Sequence, residues 1–482
     1  MKILLIQPPG EMKISIGCKR DYSEVRSPLP PLGLLYLAGH LKKNHNVKVL
    51  DMAVGQYGSI SPIDRPAKSF KRCRSILSYL VGANRFCSLP AEMCCLSELV
   101  SFEPDIVGIS AVIGLWPTVI DIVNLVKEVN SQIYTVVGGS NVTQYPEETL
   151  SHKNIDFVIT GLGQFPMMEL CNQLEKGKSG EGIENCYVQG KQYESYRTVY
   201  SHKLDEFEFP DREATPFKQY YVGFCPENPT TTMVTSMGCP FKCAFCNCHS
   251  HHLESRSAGR VVDEIESIHE MGIKSILFED ELFTLIPQRV KQICEDLIER
   301  KIKIHWSVKS RIDCVQPWML ELMKEAGCFG IHFGIESGND STLERMKKGY
   351  NTSQIQHAVQ MVKDAGLVCT GNFMLAYPGE DEQDIRNTIA FAKSLFLDIV
   401  QFSITLDLPK TELFDEAIAS GRRHGDPWSE FTRYPERTDL VEIFSSDLPR
   451  EKLFEFLDEA HRSTRTLYNI GVENVSRRLS NY

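Results

Sequence analysis

Ser236-Met-Gly-Cys-Pro-Phe-Lys-Cys-Ala-Phe-Cys-Asn247 sets Cys239, Cys243 and Cys246 in a C-x3-C-x2-C spacing, directly after the run Thr231-Thr-Met-Val-Thr-Ser236. Three thiolates on one short loop can hold three irons of a [4Fe–4S] cluster and leave the fourth iron without a protein ligand. Such an open iron binds and reduces a substrate, whereas a cluster with four cysteines only relays electrons. The competing reading is a closed zinc site with Cys248, His249, His251 or His252 as fourth donor. Zinc loops usually pair their cysteines as C-x2-C and repeat the pair further on. Here the next cysteine, Cys294, falls inside an amphipathic helical pattern, so the spacing favours the cluster.

Downstream of the loop, strand-like and helix-like patterns alternate. Thr231–Ser236, Ser275–Glu279, Ile304–Val308, Gly330–Ile335, Cys369–Leu375 and Ile399–Thr405 read as strands. Val261–Met271, Gln288–Arg300, Pro317–Ala326, Ser353–Ala365 and Asp381–Ser394 read as the helices between them. Together they predict a partial (β/α)6 barrel, a parallel TIM-like barrel two units short of the complete form. Catalytic groups of such a barrel sit at the carboxyl ends of its strands, and the cysteine loop occupies one of them.

Upstream, Met1–Gln7, Val47–Asp51, Asp105–Ser110, Ile133–Gly138 and Asp156–Thr160 are apolar runs separated by helical patterns at Leu32–Lys43, Thr118–Asn130 and Phe165–Leu174. Strands apolar on both faces and alternating with helices predict a doubly wound, Rossmann-like parallel sheet. Each run ends in small, polar or glycine residues, where ligands of such sheets bind. No G-x-G-x-x-G opens the first helix, which argues against a dinucleotide. The fold class is therefore α/β, with a sheet domain at 1–190, a linker at 191–225, the barrel at 226–410 and a mostly helical region at 411–482. In that last region Trp428, Phe431 and Tyr434 read as core aromatics or as walls of a cavity.

The chain has 482 residues and a net charge of −11, which disfavours a nucleic-acid backbone as partner. A short basic run, Lys68 to Arg74, reads as a solvated loop. No apolar run approaches the roughly 20 residues of a membrane-spanning helix. Sixteen cysteines without a secretory leader, with Cys171, Cys294, Cys328 and Cys369 in apolar periodic stretches, read as reduced thiols of a cytoplasmic protein.

With these elements in place, the cysteine loop resembles the signature of the radical S-adenosylmethionine (SAM) enzymes, whose open iron is chelated by SAM. The upstream sheet, through Leu4-Ile-Gln-Pro-Pro9, Pro30-Pro-Leu-Gly33, Asp105–Ser110, Val136-Val-Gly-Gly-Ser140, Pro146-Glu-Glu148 and Gly161-Leu-Gly-Gln164, resembles the cobalamin-binding domain that precedes many of them. The family's turn is more often Gly-Glu-Gly-Glu, and Leu162 and Gln164 replace both acids here. The resemblance implies a corrinoid against Gln7, Pro8, Ser110, Gly138, Gly139, Ser140, Gly161 and Gly163. No D-x-H-x-x-G is present to supply an axial histidine. The resemblance further implies SAM contacts from Phe245, Glu279, Ser307, Lys309, Arg311, Glu336, Ser337, Asn372 and Tyr377. Of these, Arg311 suits the SAM carboxylate because its fork can bind it bidentately.

The cofactors so implied are a [4Fe–4S] cluster, SAM and cobalamin, with a flavodoxin or ferredoxin as electron donor. The implied reaction is methylation of an unactivated carbon. A 5′-deoxyadenosyl radical takes a hydrogen atom, and the resulting carbon radical takes methyl from methylcobalamin. No protein nucleophile or general base is needed. The substrate remains open between small molecule, lipid and peptide. Two other functions stay open: a radical SAM cyclisation or rearrangement without methyl transfer, and a non-catalytic cobalamin or redox sensor. A methylthio-transferring enzyme would need further cluster cysteines upstream.

Overall fold

A computed structural model describes residues 1–9, 29–54, 89–248, 253–437, 440, 444–446 and 448–479. Its N-terminal sheet holds β1 (Lys2–Gln7), β2 (Asn46–Asp51), β3 (Ile106–Ser110), β4 (Tyr134–Gly138), β5 (Phe157–Ile159) and β6 (Cys186–Val188) in the order β2-β1-β3-β4-β5-β6. The first five are parallel, and β6 runs antiparallel to β5. Because side chains alternate along a strand, Ile3 and Leu5 face one layer and Leu4 and Ile6 the other. The first layer contains α1 (Leu32–Leu41), and the second α2 (Leu89–Phe102) and α3 (Trp116–Val129). The short helices α4 (Ser140–Gln144) and α5 (Pro146–Leu150) follow β4, and α6 (Gln164–Glu175) joins α1. β6, at three residues, is too short for any periodicity to reveal it. The stretch from Gln56 to Glu92, including the basic run at Lys68, lies almost wholly outside the described residues.

The strand order reverses between β1 and β3, so their carboxyl ends open a crevice. Gly139, at the end of β4, has φ +117°, and a Cβ there would stand 2.5 Å from the Ala111 carbonyl oxygen. Backbone meets backbone at that point, so nothing flexible can yield. Gly139→Ala is expected to cost about 1–3 kcal/mol, read as a lower urea midpoint; an unchanged midpoint would refute this packing.

The second sheet is a half-barrel. β7 (Thr230–Met233), β10 (Ser275–Phe278), β11 (His305–Ser310), β12 (Cys328–Glu336), β13 (Val368–Leu375) and β14 (Ile399–Ile404) are all parallel, in chain order across the sheet. The connecting helices are α7 (Ala258–Glu270), α8 (Pro287–Glu299), α9 (Pro317–Glu325), α10 (Asp340–Arg345), α11 (Thr352–Asp364) and α12 (Glu382–Ser394). Outward residues such as Met233, Ile276, Val308, Phe333 and Phe373 build one core with these helices. The inward face is largely polar, with Thr232 on β7, Lys309 on β11, Glu336 on β12, Asn372 on β13 and Ser403 on β14, while β10 brings Leu277. A small ribbon, β8 (Ser236–Met237) paired antiparallel with β9 (Glu254–Ser255), brackets the cysteine loop. This corrects the expectation of one strand running to Ser236.

The chain after the barrel divides its contacts. Phe414 of α13 (Glu412–Ala419) and Trp428 and Phe431 of α14 (Pro427–Arg433) enter the core of the N-terminal sheet. Trp116 Nε1 donates to the Thr432 carbonyl at 2.9 Å, and His152 Nε2 lies 2.7 Å from the same oxygen. Leu453, Phe456 and Leu457 of α15 (Arg450–Leu479) join the barrel core instead. Trp428 and Phe431 are thus core residues, while Tyr434 is half-exposed.

Candidate active site

Asp280, fully buried at the end of β10, ties down the start of the cysteine loop. Its carboxylate accepts from the Thr235 amide (2.6 Å), the Thr235 hydroxyl (2.5 Å) and the Ser236 hydroxyl (2.6 Å). Further along, the Ala244 amide donates to Met346 at 3.1 Å, and its carbonyl accepts from the Leu413 amide at 2.9 Å. Phe245 packs against Met346, Tyr377 and Leu413. The loop is therefore fixed from three elements while its thiols stay reachable: Cys239 and Cys243 are partly exposed and Cys246 is exposed. Partial burial raises the Cys239 thiol above its ordinary range, and a bound iron would remove that proton outright.

Among the described residues, no three or more His, Cys, Asp or Glu side chains gather as ligands of a single ion. Thiols that grip separate corners of a four-iron cube stand farther apart than ligands of one ion. Cys248 is described, but the histidine donors of the zinc reading, His249, His251 and His252, fall outside the described residues.

Arg311 is placed differently from expectation. Its Nε and Nη2 donate to the two Asp313 oxygens at 3.0 and 2.9 Å, and Nη2 also reaches the Lys348 carbonyl at 2.6 Å. The fork expected for a SAM carboxylate is already filled. Nη1 instead points at Cys243 Sγ, 3.7 Å away, with the guanidinium 3.6 Å from the Phe241 ring centre. Burial alone would lower the Arg311 pKa, but Asp313 more than offsets this and holds it above the usual value.

Beside it lies a second cation that sequence reading passes over. The Lys348 Nζ, 5 % exposed, pairs with Glu336 Oε1 at 3.2 Å. Burial would neutralise this ammonium, yet Glu336 chiefly keeps its pKa above the usual value. Glu336 itself closes β12 at φ +72°, a left-handed conformation that a non-glycine residue adopts at a cost. The Tyr350 hydroxyl donates to the Gly334 carbonyl at 2.6 Å and holds the same bend. The run Lys347-Lys348-Gly349-Tyr350 is the only sequence signal for this pair.

The remaining expected SAM contacts divide. Glu279 and Lys309 pair with one another on the rim. Asn372 points a buried Oδ1 without a hydrogen-bond partner from the inward face of β13. Ser307 is buried on the inward face of β11, and Tyr377 is buried against Met346. The Ser337 hydroxyl is buried and engaged by Thr388 Oγ1 at 3.2 Å, so it is a packing group.

The expected corrinoid residues converge better. A cavity of about 500 Å³ opens at the β1/β3/β4 strand ends, within the usual range for a cofactor or small ligand. Ser110, Gly138, Gly139, Gly161 and Gly163 line it; Gln7, Pro8 and Ser140 do not. Its far wall comes from the barrel, through Thr232, Val234, Met237, Arg256 and Glu279. One cavity thus joins the crevice of the sheet to the barrel rim. Gly108 lines it as well, where a Cβ would press on Leu5 Cδ2 at 2.8 Å. Thr232 Oγ1 in that wall is buried without a hydrogen-bond partner. A mostly apolar cradle with glycine at its strand ends fits a large cofactor with an aromatic part.

Behind the wall, Glu264 is fully buried between two arginines. Arg212 Nη2 lies 2.7 Å from Oε1 and Arg256 Nη1 2.5 Å from Oε2. Tyr36, buried beside them, has its phenol pKa raised, first by burial and then by the Glu264 charge.

Comparison with known proteins agrees with this division. Residues 233–392 match the Radical SAM superfamily and residues 94–170 the B12 binding domain. An uncharacterised methyltransferase of Pyrococcus horikoshii, PH0819, is 32 % identical over 439 residues, spanning 90 % of this chain and 86 % of its own. The anaerobic magnesium-protoporphyrin IX monomethyl ester cyclase of Rubrivivax gelatinosus is 24 % identical, spanning 82 % and 67 %. Among solved structures, the radical SAM methyltransferase TsrM from Kitasatospora setae, with cobalamin and a [4Fe–4S] cluster bound, superposes with a TM-score of 0.63 at 17 % identity, over 87 % of this chain and 78 % of that one.

Proposed function

Since the chain belongs to the radical SAM enzymes that carry a cobalamin-binding domain, we propose that it is a C-methyltransferase acting on an unactivated carbon. The observation that carries this reading is the single cavity shared by the corrinoid strand ends and the barrel rim. It sets the corrinoid strand ends against the half-barrel that carries the cysteine loop, so two cofactors would be held side by side, the positional advantage that a radical step followed by group transfer requires. When bound, the reduced cluster and SAM supply a carbon-centred radical and the corrinoid supplies the methyl group.

The chain's own residues hold and orient. Cys239, Cys243 and Cys246 would ligate iron. Arg311 and Lys348 place two cations near the cluster thiols, with Arg311 Nη1 aimed at Cys243. Glu336 and Asn372 would offer acceptors to the polar groups of SAM, and Glu279 and Lys309 would close the rim. No side chain has to act as a nucleophile.

Cyclisation without methyl transfer is the second reading, favoured by the 24 % identical cyclase relative. We place the enzyme in the cytoplasm with a flavodoxin or ferredoxin as donor, acting on a non-nucleic-acid substrate, which the charge of −11 supports. Among the described residues no helix is long and apolar enough to cross a membrane.

Anaerobic reconstitution followed by metal analysis is the test, with about four irons and about one cobalt expected per chain. Isotope-labelled SAM should then pass label into a product carbon. Iron without cobalt, or deoxyadenosine release with an unlabelled rearranged product, would move the assignment to the cyclase class.

A further inference from the structure

Arg311, only 7 % exposed, is held beside the cysteine loop from several sides. Its Nε and Nη2 donate to the two Asp313 oxygens at 3.0 and 2.9 Å, and Nη2 also donates to the Lys348 carbonyl at 2.6 Å. The guanidinium lies 3.6 Å from the centre of the Phe241 ring and 5.1 Å from that of Tyr350. A planar group gripped along one edge by a bidentate carboxylate and on its face by an aromatic ring has little freedom to turn.

What remains is Nη1. Among the described residues its one partner is Cys243 Sγ, at 3.7 Å. A protonated thiol is a weak acceptor, so in that form the sulfur does little for a buried guanidinium. A thiolate is a different partner, because a charged acceptor makes a hydrogen bond roughly twice as strong. Bound iron keeps its cysteine deprotonated. The donor is thus matched to the state of Cys243 that exists when iron is bound. The charges nearby are balanced in pairs, Arg311 by Asp313 and Lys348 by Glu336. What Nη1 adds is a directed N–H rather than a net positive charge.

We propose that Arg311 serves the cluster: its Nη1 donates to the Cys243 thiolate of the loaded loop and raises the cluster's reduction potential. Reduction takes one electron from a low-potential donor and adds one negative charge to the cluster, part of it on the sulfurs. A donor aimed at one of those sulfurs stabilises the reduced form more than the oxidised one. The inference rests on the [4Fe–4S] reading given above, and it assigns Arg311 to electron entry rather than to SAM.

A dithionite titration of the full, anaerobically reconstituted chain without SAM, followed by the electron paramagnetic resonance of the reduced cluster, reads that potential. Two substitutions remove the N–H at constant charge. Arg311→Met combined with Asp313→Asn takes out the cation and its carboxylate together. Arg311→Lys keeps both charges, with its single nitrogen tied to Asp313. Each should keep about four irons and disfavour the reduced cluster by about tenfold, a fall of about 59 mV for one electron. Should the double variant lose its irons, Arg311→Lys carries the test. Asp313→Asn alone leaves Nη1 on the sulfur, and its potential should not fall below that of the wild type. An unchanged potential in a variant that keeps its irons would overturn the proposal, even if its urea midpoint drops. So would an equal fall in Asp313→Asn. A wild type that assembles no cluster would instead remove the cluster reading, and the proposal with it.

Discussion

Alanine at Cys239, Cys243 or Cys246, one at a time, is expected to reduce deoxyadenosine formation from SAM to background. Iron should fall from about four per chain to below about one. A cube held at three corners has no spare protein ligand, so losing one thiolate opens a second iron and the cluster dissociates or degrades. Cys248 and Cys314 serve as controls. Both lie close enough to Cys239 for their charges to influence it, yet neither belongs to the triplet, and alanine at either should leave the iron count intact. Hydroxocobalamin binding should survive in the triplet variants, because the corrinoid wall stands on Asp280 and Glu264 rather than on the cluster. Full turnover by Cys243→Ala would sink the assignment.

The second large effect is on stability. Glu264→Gln is expected to destabilise the protein by about 3–5 kcal/mol, because it leaves two buried guanidiniums sharing no negative charge. The carboxylate accepts from Arg212 on one oxygen and Arg256 on the other, and all three side chains are at most 5 % exposed. Removing the charge strands both arginines in a medium that solvates neither. Chemical denaturation followed by circular dichroism measures this, and a loss under about 1 kcal/mol would mean that water reaches the site. Hydroxocobalamin affinity should fall in parallel, since Arg256 and Thr232 line the cavity that Glu264 braces.

The features legible in the sequence are those written locally. Met1–Gln7 reads as a strand because burial on both faces demands an unbroken apolar run, and the cysteine loop is legible because its ligands are three and four residues apart. Pairings across long separations leave no such trace. Glu264 meets Arg212 from 52 residues away, and nothing about either residue alone announces it. Arg311 shows the reverse error: its chemistry suits a carboxylate, but the carboxylate it holds is Asp313, two residues along. Ser337 fits the family segment by position, while its hydroxyl turns outward to Thr388. Thr232, in a run of three threonines, is distinguished only by which of them faces the cavity.

The docking of Trp428 and Phe431 onto the N-terminal sheet bears on biosynthesis. A ribosome releases that sheet first and the half-barrel next, and each has its own core to fold around. The segment that packs against α3 and also touches the cysteine loop through Leu413 emerges only afterwards. Until then the nascent chain has two finished halves and no clasp between them. Joining the halves thus waits on a segment made after both, and the α2/α3 face of the sheet stays uncovered until it arrives.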